Sequence, residues 1–266
     1  MKLKAMRGQD IEHFRHLQPE GWPDIAPEFE YYVNMPFCHP VKVVFKKRIV
    51  GIGAGISLGN TAWLAHIIVD KGFRRRGIGS FIVTQLLHHL TEAGCQTVSL
   101  IATELGYPVY KKAGFLAQTE YIFFARQAPC QSFPPSGNIV PLTAGDFAAV
   151  FSLDKQVAGE ERKRLLGAAL DNGYVYKKNG EVLGYYLPAL GEGPVVATDG
   201  EAGTALMALK YAAAPKGVLP AANREGMSFF KENGFGEIMR AVRMYRGREF
   251  PWQPQNIFSR IGGNLG

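Results

Sequence analysis

The sequence predicts an α/β (α+β) protein built from two mixed-sheet domains with flanking helices. Its 266 residues exceed the usual size of a single domain. In the first half, β-branched runs alternate with a segment of helical spacing. Two segments of that half recur in the second half, and a hydrophobic share of 47% is that of a globular protein able to bury a sizeable core.

The two recurring segments indicate a duplicated domain. Residues 44–51 resemble residues 175–184, and each segment reads as a strand, a basic turn and a strand. Residues 109–115 resemble residues 229–235, and each is followed by an apolar, aromatic run suited to a strand. Self-similarity at such long spacing is typical of a repeated structural unit.

Prolines mark the boundary between the two copies. Residues 127–138 contain three prolines together with serine and glycine, and proline cannot continue a helix or a central strand. We therefore expect a first domain over residues 1–127, a linker over 128–140, a second domain over 141–250 and a C-terminal tail over 251–266.

The elements of the first copy follow from its hydrophobic pattern and its breakers. The pattern predicts strands over residues 41–45, 49–56, 62–69, 97–101 and 120–125, a helix over 77–90 and a short helix over 108–113 that Gly114 terminates.

The charge pattern favours a polyanionic ligand for the first half. The formal net charge is +7, and most of the basic surplus lies before residue 130. Nucleic acid is one candidate, but there is no recognition-helix pattern, RNP-type motif or zinc knuckle, so we expect no nucleic-acid partner. A small phosphate-bearing ligand fits the charge equally well.

Cysteine spacing and hydropathy narrow the class of protein further. Cys38, Cys95 and Cys130 have neither CxxC spacing nor an even count, which predicts neither a zinc site nor a disulfide framework. The N-terminal residues contain no apolar stretch long enough for a signal peptide, and no later apolar run approaches the ~18 residues of a membrane span. We therefore expect a cytoplasmic protein without a membrane partner.

Residues 67–80 form the most informative stretch, because an apolar strand leads through a basic loop directly into an amphipathic helix. Arg74, Arg75 and Arg76 supply positive charge, while Gly77 and Gly79 let a ligand approach the backbone. The free N–H groups at a helix N-terminus receive an anion, so a pyrophosphate would fit here. A solvated turn before the helix is the alternative.

A second glycine-rich stretch, residues 51–59, invites a nucleotide-loop interpretation. It leads toward another strand rather than into a helix, so the required context is absent. We expect its glycines to serve bulges or tight packing of the sheet.

The pattern Arg74-x-x-Gly77-x-Gly79 after an apolar strand resembles the acyl-CoA pyrophosphate loop of the GNAT superfamily of N-acetyltransferases. Residues 102–115 resemble the later helix-and-strand signature of the same superfamily, at the expected distance. The whole layout is similar to a bacterial subfamily in which a catalytic GNAT domain precedes a second, GNAT-like domain. The resemblance thus covers nearly the full chain.

This resemblance implies an N-acetyltransferase that uses acetyl-CoA as cosubstrate, needs no metal, and transfers the acetyl group to a primary amine within a ternary complex. The acceptor would be a small-molecule or peptide amine. The residues implied in cofactor binding are Ile67, Ile68, Val69, Arg74, Arg75, Arg76, Gly77, Ile78, Gly79, Ser80 and Thr103.

Tyr110 occupies the position of the family tyrosine that is proposed to protonate the departing thiolate. A phenol with a reference pKa of about 10 is a reasonable acid for that step. The alternative role for Tyr110 is a packing aromatic on a short helix.

The residues that would bind or deprotonate the amine acceptor are less well defined by the sequence. Glu28, Glu30, His66 and Asp154 are candidate bases, and a role in the substrate pocket is predicted for Glu28, His66, Asp154 and Arg162. For Asp154 and Arg162 the alternative is an amphipathic helix with exposed charges. The acceptor's identity and the oligomeric state stay open, with a homodimer among the options.

The second copy has lost the features that would bind the cofactor. Asp199 and Glu201 lie where the first copy has arginines, and Phe230 replaces Tyr110. We expect this domain not to bind CoA and instead to complete the acceptor pocket or a subunit contact. Two other functions remain as alternatives for the whole chain: an acyl-CoA sensor without turnover, and a basic nucleic-acid-binding protein.

Overall fold

A computed structural model describes residues 1–127, 133 and 136–266 of the chain. Most of the predicted linker over 128–140, with Cys130, lies outside these described residues. The strands are β1 (Lys2–Ala5), β2 (Cys38–Phe45), β3 (Arg48–Leu58), β4 (Thr61–Val69), β5 (Thr97–Ala102), β6 (Leu116–Ala125), β7 (Ile139–Pro141), β8 (Tyr174–Lys178), β9 (Glu181–Tyr186), β10 (Val195–Ala197), β11 (Lys216–Pro220), β12 (Gly236–Gly247) and β13 (Ile257–Ser259). The helices are α1 (Ala26–Asn34), α2 (Ile78–Glu92), α3 (Tyr107–Lys112), α4 (Phe147–Ala158), α5 (Lys163–Gly167), α6 (Gly200–Tyr211) and α7 (Arg224–Glu232).

The chain divides into two compact units whose boundaries differ from the predicted ones. The first unit comprises Met1–Leu116 and Met244–Glu249, and the second comprises Ala117–Arg243 and Phe250–Gly266. Strand β6 is expected in the first domain, but all of it except Leu116 belongs to the second unit. The predicted linker also ends too late, because β7 begins at Ile139 and pairs with β8.

The first unit contains a mixed sheet in the order β1-β2-β3-β4-β5, with Met244–Gly247 of β12 next to β5. Strands β1 to β4 pair antiparallel, whereas β4 and β5 pair parallel. The backbone N–H of Arg248 donates to the carbonyl of Gln96 at 3.2 Å, which fixes the late segment against the start of β5. The mixed α/β class predicted from the sequence is thus confirmed.

Glycines in β3 let helix α2 lie close to the sheet. A Cβ atom at Gly53 would stand 2.7 Å from Ile67 Cδ1 and 2.9 Å from Ile82 Cγ2, and one at Gly51 would stand 3.0 Å from Ile78 and Ile82. These distances are tighter than a normal carbon contact, so a larger residue would force α2 outward. The glycine-rich stretch is part of a strand that supports α2.

The second unit contains strands in the order β12-β6-β11 and a five-stranded sheet in the order β13-β10-β9-β8-β7. Its core is a cluster of buried apolar side chains that includes Leu206, Tyr211, Phe230 and Phe258. Residues 251–266 are not a tail, because β13 pairs antiparallel with β10 and its Ile257 and Phe258 are buried. This segment completes the sheet of the second unit.

Candidate active site

Strand β4 carries a bulge and an open edge. Its register with β3 shifts so that His66 and Ile67 together face Gly53, and His66 has a φ of 49°. Pairing with β5 covers only Thr61–Trp63, and no residue after Trp63 is paired with β5, although both strands lie wholly in the described part of the chain. The backbone of Ile67–Val69 is therefore available on that side for an added strand.

The loop after β4 is ordered by Asp70 and exposes the predicted arginines. The Asp70 carboxylate accepts hydrogen bonds from the Gly72 N–H at 2.9 Å and from Arg48 Nη2 at 2.7 Å. Arg74 Nε donates to the Val69 carbonyl at 3.3 Å, and the guanidinium of Arg76 lies 5.2 Å from the Phe73 ring. Arg74, Arg75 and Arg76 are all exposed, so their charges can reach an anion in solution.

Helix α2 begins without a side-chain cap. The residue before it, Gly77, has a left-handed φ of 78° and, as a glycine, offers no side chain to cap the first N–H groups of the helix. Gly79 lies close to β4, since a Cβ atom there would stand 3.7 Å from Val69 Cγ2. Ile78 is buried and anchors the helix, while Ser80 is exposed. Uncapped N–H groups and the positive end of the helix dipole favour an anion here.

Tyr110 lies on α3 within the first unit. Its side chain is 9% exposed, and burial raises the pKa of its phenol above the ordinary value. Gly106 makes room for the ring, because a Cβ atom there would stand 2.9 Å from Tyr110 Cε2. The hydroxyl is not among the fully enclosed polar atoms and has no hydrogen-bond partner among the described residues. Thr103 is exposed, and its carbonyl accepts from the Tyr107 N–H at 2.9 Å.

His66 is surrounded by aromatic side chains from the preceding segment. Its Nδ1 is 2.9 Å from Tyr32 Oη, and the rings of Trp22, Phe29 and Tyr32 lie 5.8 to 6.1 Å from its own, centroid to centroid. Burial lowers the pKa of His66 to about 4, so its imidazole is neutral at pH 7.

Helix α1 carries Glu28 and Glu30 beside Tyr32. Glu28 is half-buried and Glu30 is exposed, whereas Tyr32 is 1% exposed. Neither α1 nor Tyr32 was predicted from the sequence. Two signals could have found the helix: a proline in its first turn, which helices tolerate, and aromatic residues three positions apart at 29 and 32.

Asp154 and Arg162 do not form part of an exposed pocket. Arg162 donates to both Asp154 oxygens, at 3.1 Å from Nε and 2.6 Å from Nη2, and the Tyr185 hydroxyl donates to Asp154 as well. The two residues are only 2% and 4% exposed. The alternative of exposed helix charges is therefore wrong, and the burial of both residues argues against substrate contact, which stays a prediction. The two residues form a buried ion pair within the second unit.

In the second unit, the features corresponding to the cofactor loop are filled by the protein itself. The Asp199 carboxylate accepts from the Ala202 N–H at 2.8 Å and caps α6, and the Glu225 carboxylate occupies the space beside Gly200. Phe230 is fully buried, with its ring 4.6 Å from that of Phe124 and 4.8 Å from that of Tyr211. Strand β13 covers the edge of β10.

Neither a cluster of metal ligands nor a helix that could span a membrane is found among the described residues. No group of three or more histidine, cysteine, aspartate or glutamate side chains is placed to hold a metal ion within residues 1–127, 133 and 136–266. Across the same residues, every helix is too short or too polar to span a bilayer. Cys38 and Cys95 are buried free thiols.

Comparison with known protein families gives two matches. The acetyltransferase (GNAT) family matches residues 8–115, and the acetyltransferase (GNAT) domain matches residues 150–259. The chain is 24% identical to the uncharacterized N-acetyltransferase YitH of Bacillus subtilis (strain 168), over 92% of this chain and 91% of YitH.

Solved structures share the fold over nearly the whole chain. A Pyrococcus horikoshii protein described as a candidate acetyltransferase has a TM-score of 0.84 at 19% identity, covering 100% of this chain and 95% of its own. A tandem GNAT protein from the clavulanic acid biosynthesis pathway has a TM-score of 0.62 at 13% identity, covering 92% and 98%.

Proposed function

Because the chain belongs to the GNAT acetyltransferase family and is an acyltransferase, we propose that its first unit transfers an acetyl group from acetyl-CoA to a primary amine in a ternary complex. The observation that carries this proposal is the open edge of β4 directly beside the uncapped N-terminus of α2. The acceptor is a small-molecule or peptide amine.

Different groups of the chain would bind the two parts of the cofactor, with backbone groups of β4 on the pantetheine arm and positively charged groups on the pyrophosphate. The amide-bearing pantetheine arm would pair, as an added strand, with the backbone of Ile67–Val69 on the side that β5 leaves unpaired. The pyrophosphate would accept hydrogen bonds from the first N–H groups of α2 and from exposed Arg74 to Arg76, which supply charge at that end. Each of these groups lies within the first unit.

Tyr110 is the proposed acid for the departing thiolate. Its raised pKa keeps the phenol protonated across the physiological range, so a proton is available when the carbon–sulfur bond breaks. A backbone N–H beside the β4 bulge would polarise the thioester carbonyl. Two residues are candidates for accepting the proton of the attacking amine. His66 lies in the bulge itself, and Glu28 lies on helix α1.

A thermal-shift titration with acetyl-CoA tests the proposal, with NAD and adenosine as control ligands. A ligand at 100 times its dissociation constant stabilises by about 2.7 kcal/mol, which raises the melting temperature of a unit this size by several degrees. We expect this shift in wild type, a smaller one in Gly77→Ala, whose side chain strains the left-handed backbone, and none in Gly77→Glu, which also places a carboxylate at the phosphate position. Arg76→Ala should weaken binding to an intermediate degree.

Turnover is tested separately by amine-dependent release of free thiol. Tyr110→Phe should retain acetyl-CoA binding and lose most of the release. Binding without release in the wild type, for every amine tried, would favour a sensor over an enzyme. No thermal shift at saturating acetyl-CoA would contradict the proposal itself.

A further inference from the structure

His66 is held in an uncommon backbone conformation within a strand. Its φ of 49° lies in the left-handed region, which residues with a side chain seldom adopt, and it marks the bulge opposite Gly53. Bulges beside active sites often re-aim a side chain. Such a conformation persists only where the surroundings fix it. The contacts of His66 therefore define how the bulge orients its imidazole.

The imidazole is fixed through one of its two nitrogens. Nδ1 lies 2.9 Å from the hydroxyl oxygen of Tyr32, whose side chain is almost wholly buried on α1. The rings of Phe29 and Trp22 pack against the imidazole and limit its rotation. The orientation of the ring is therefore set by the hydrogen bond together with this packing.

The second ring nitrogen is left for a ligand. Nε2 has no hydrogen-bond partner among the described residues, and it is not among the polar atoms that are fully enclosed. His66 also lies on the part of β4 that follows the last pairing with β5, next to Ile67–Val69. A molecule bound along that open edge would be close to the bulge.

We propose that Tyr32 is a positioning residue for acetyl transfer: by accepting a hydrogen bond from Nδ1–H of His66, it leaves the Nε2 lone pair to receive an N–H of the attacking amine. This inference rests on the proposed function. The opposite tautomer would direct an N–H donor at the amine nitrogen, whose lone pair is needed for the attack.

The step balances with groups of this chain. The amine nitrogen forms a bond to the thioester carbonyl carbon, the carbon–sulfur bond breaks, and the thiolate takes the Tyr110 proton. The surplus N–H proton passes to Nε2 of His66 and then to solvent, and solvent returns one proton to the Tyr110 phenolate, so both side chains regain their starting states. That proton becomes strongly acidic once the nitrogen is bonded to the carbonyl carbon, so a weakly basic imidazole is sufficient to accept it.

The experiment compares Tyr32→Phe with the matched control Tyr31→Phe, which removes a neighbouring hydroxyl from the same helix. Partners that orient metal-bound imidazoles are worth about 10- to 100-fold in affinity or activity when they are removed, and we take the lower end of that range as the scale for Tyr32. We expect Tyr32→Phe to lower kcat about 10-fold with KM for acetyl-CoA unchanged, and Tyr31→Phe to retain wild-type kcat. In a His66→Gln background, Tyr32→Phe should cost nothing further.

A readout independent of activity separates positioning from folding. In nitrogen-15 NMR spectra of the full chain, assigned by loss of the signal in His66→Gln, wild type should show Nδ1 protonated and Nε2 bare at pH 7. Tyr32→Phe should shift this balance while its melting curve stays cooperative.

The outcomes that overturn the inference differ from those that overturn the proposed function. An active wild type with unchanged kcat in Tyr32→Phe, additive effects in the double variant, or an Nε2–H tautomer in the wild type would each refute the role of Tyr32. Absence of amine-dependent thiol release from the wild type would instead refute the proposed function.

Discussion

The carboxylate of Asp199 accepts a hydrogen bond from the backbone N–H of Ala202 at 2.8 Å and so caps the N-terminus of α6. In the first unit, Gly77 leaves the matching N-terminus of α2 without a side-chain cap. The matching strand edges differ in the same way. Strand β10 is paired with β13, whereas Ile67–Val69 of β4 pair with β3 but have no pairing with β5 on the other side. One copy of the duplicated fold thus satisfies its own backbone where the other offers it to a ligand.

The first prediction concerns stoichiometry. Because Asp199, Glu225 and β13 fill the corresponding space in the second unit, we expect one equivalent of acetyl-CoA per chain in isothermal titration calorimetry. Asp199→Ala should remove a helix cap worth about 1 kcal/mol without creating a second site, since β13 would remain in place. Two equivalents bound to the wild type would refute this assignment.

The second prediction concerns the close approach of α2 to β3. Gly53→Ala adds a methyl group 2.7 Å from Ile67 Cδ1, so we expect a loss of about 1 to 3 kcal/mol in unfolding free energy and weaker acetyl-CoA binding. Gly8→Ala is the control, because a Cβ atom there meets nothing within 4 Å. Chemical denaturation of the two variants side by side measures the difference, and equal stability would show that α2 adjusts freely.

The third prediction concerns the buried ion pair of the second unit. Asp154→Ala leaves the Arg162 guanidinium buried without its partner, and breaking such a pair costs about 3 to 5 kcal/mol. Lys155→Ala, at the next position, removes an exposed pair with Glu161 and should change stability by less than about 1 kcal/mol. Urea denaturation tests both variants. A stable Asp154→Ala protein with altered acceptor preference would restore the pocket role.

The fourth prediction concerns pH. His66 has a pKa of about 4 in the folded chain and about 6.5 when unfolded, so the unfolded state binds the additional proton between these values. The stability contributed by the neutral imidazole is therefore complete above pH 6.5 and is lost as the pH falls toward 4. The loss should reach on the order of 3 kcal/mol.

The measurement for this prediction is the difference between wild type and His66→Gln. At pH 7 the unfolding free energies of the two proteins should differ. At pH 4.5 they should converge or reverse in order, because only the wild type carries the titrating ring. A difference independent of pH would mean that His66 titrates normally in the folded chain.

The part of the site that could be predicted from sequence is the part encoded locally. The strand, basic loop and helix of residues 67–80 are defined by hydrophobic period and by glycine, which act over a few residues. The confirmed mixed α/β class and the confirmed family follow from such local patterns repeated twice.

The rest depends on contacts between distant positions. Tyr32 and His66 are 34 residues apart, and the bulge that brings them together is a register shift between two strands. Asp154 and Arg162 read as exposed charges because the Tyr185 hydroxyl and the surrounding core that enclose them come from later in the chain. A single sequence does not specify which charges are buried by tertiary packing.

The first unit includes Met244–Glu249, which the gene encodes more than a hundred codons after β5. A premature stop at codon 117 would therefore delete the second unit and would also remove the β12 segment next to β5, which leaves an unpaired edge prone to aggregation. Loss of the second half of the chain would therefore cost the first unit a strand of its own sheet.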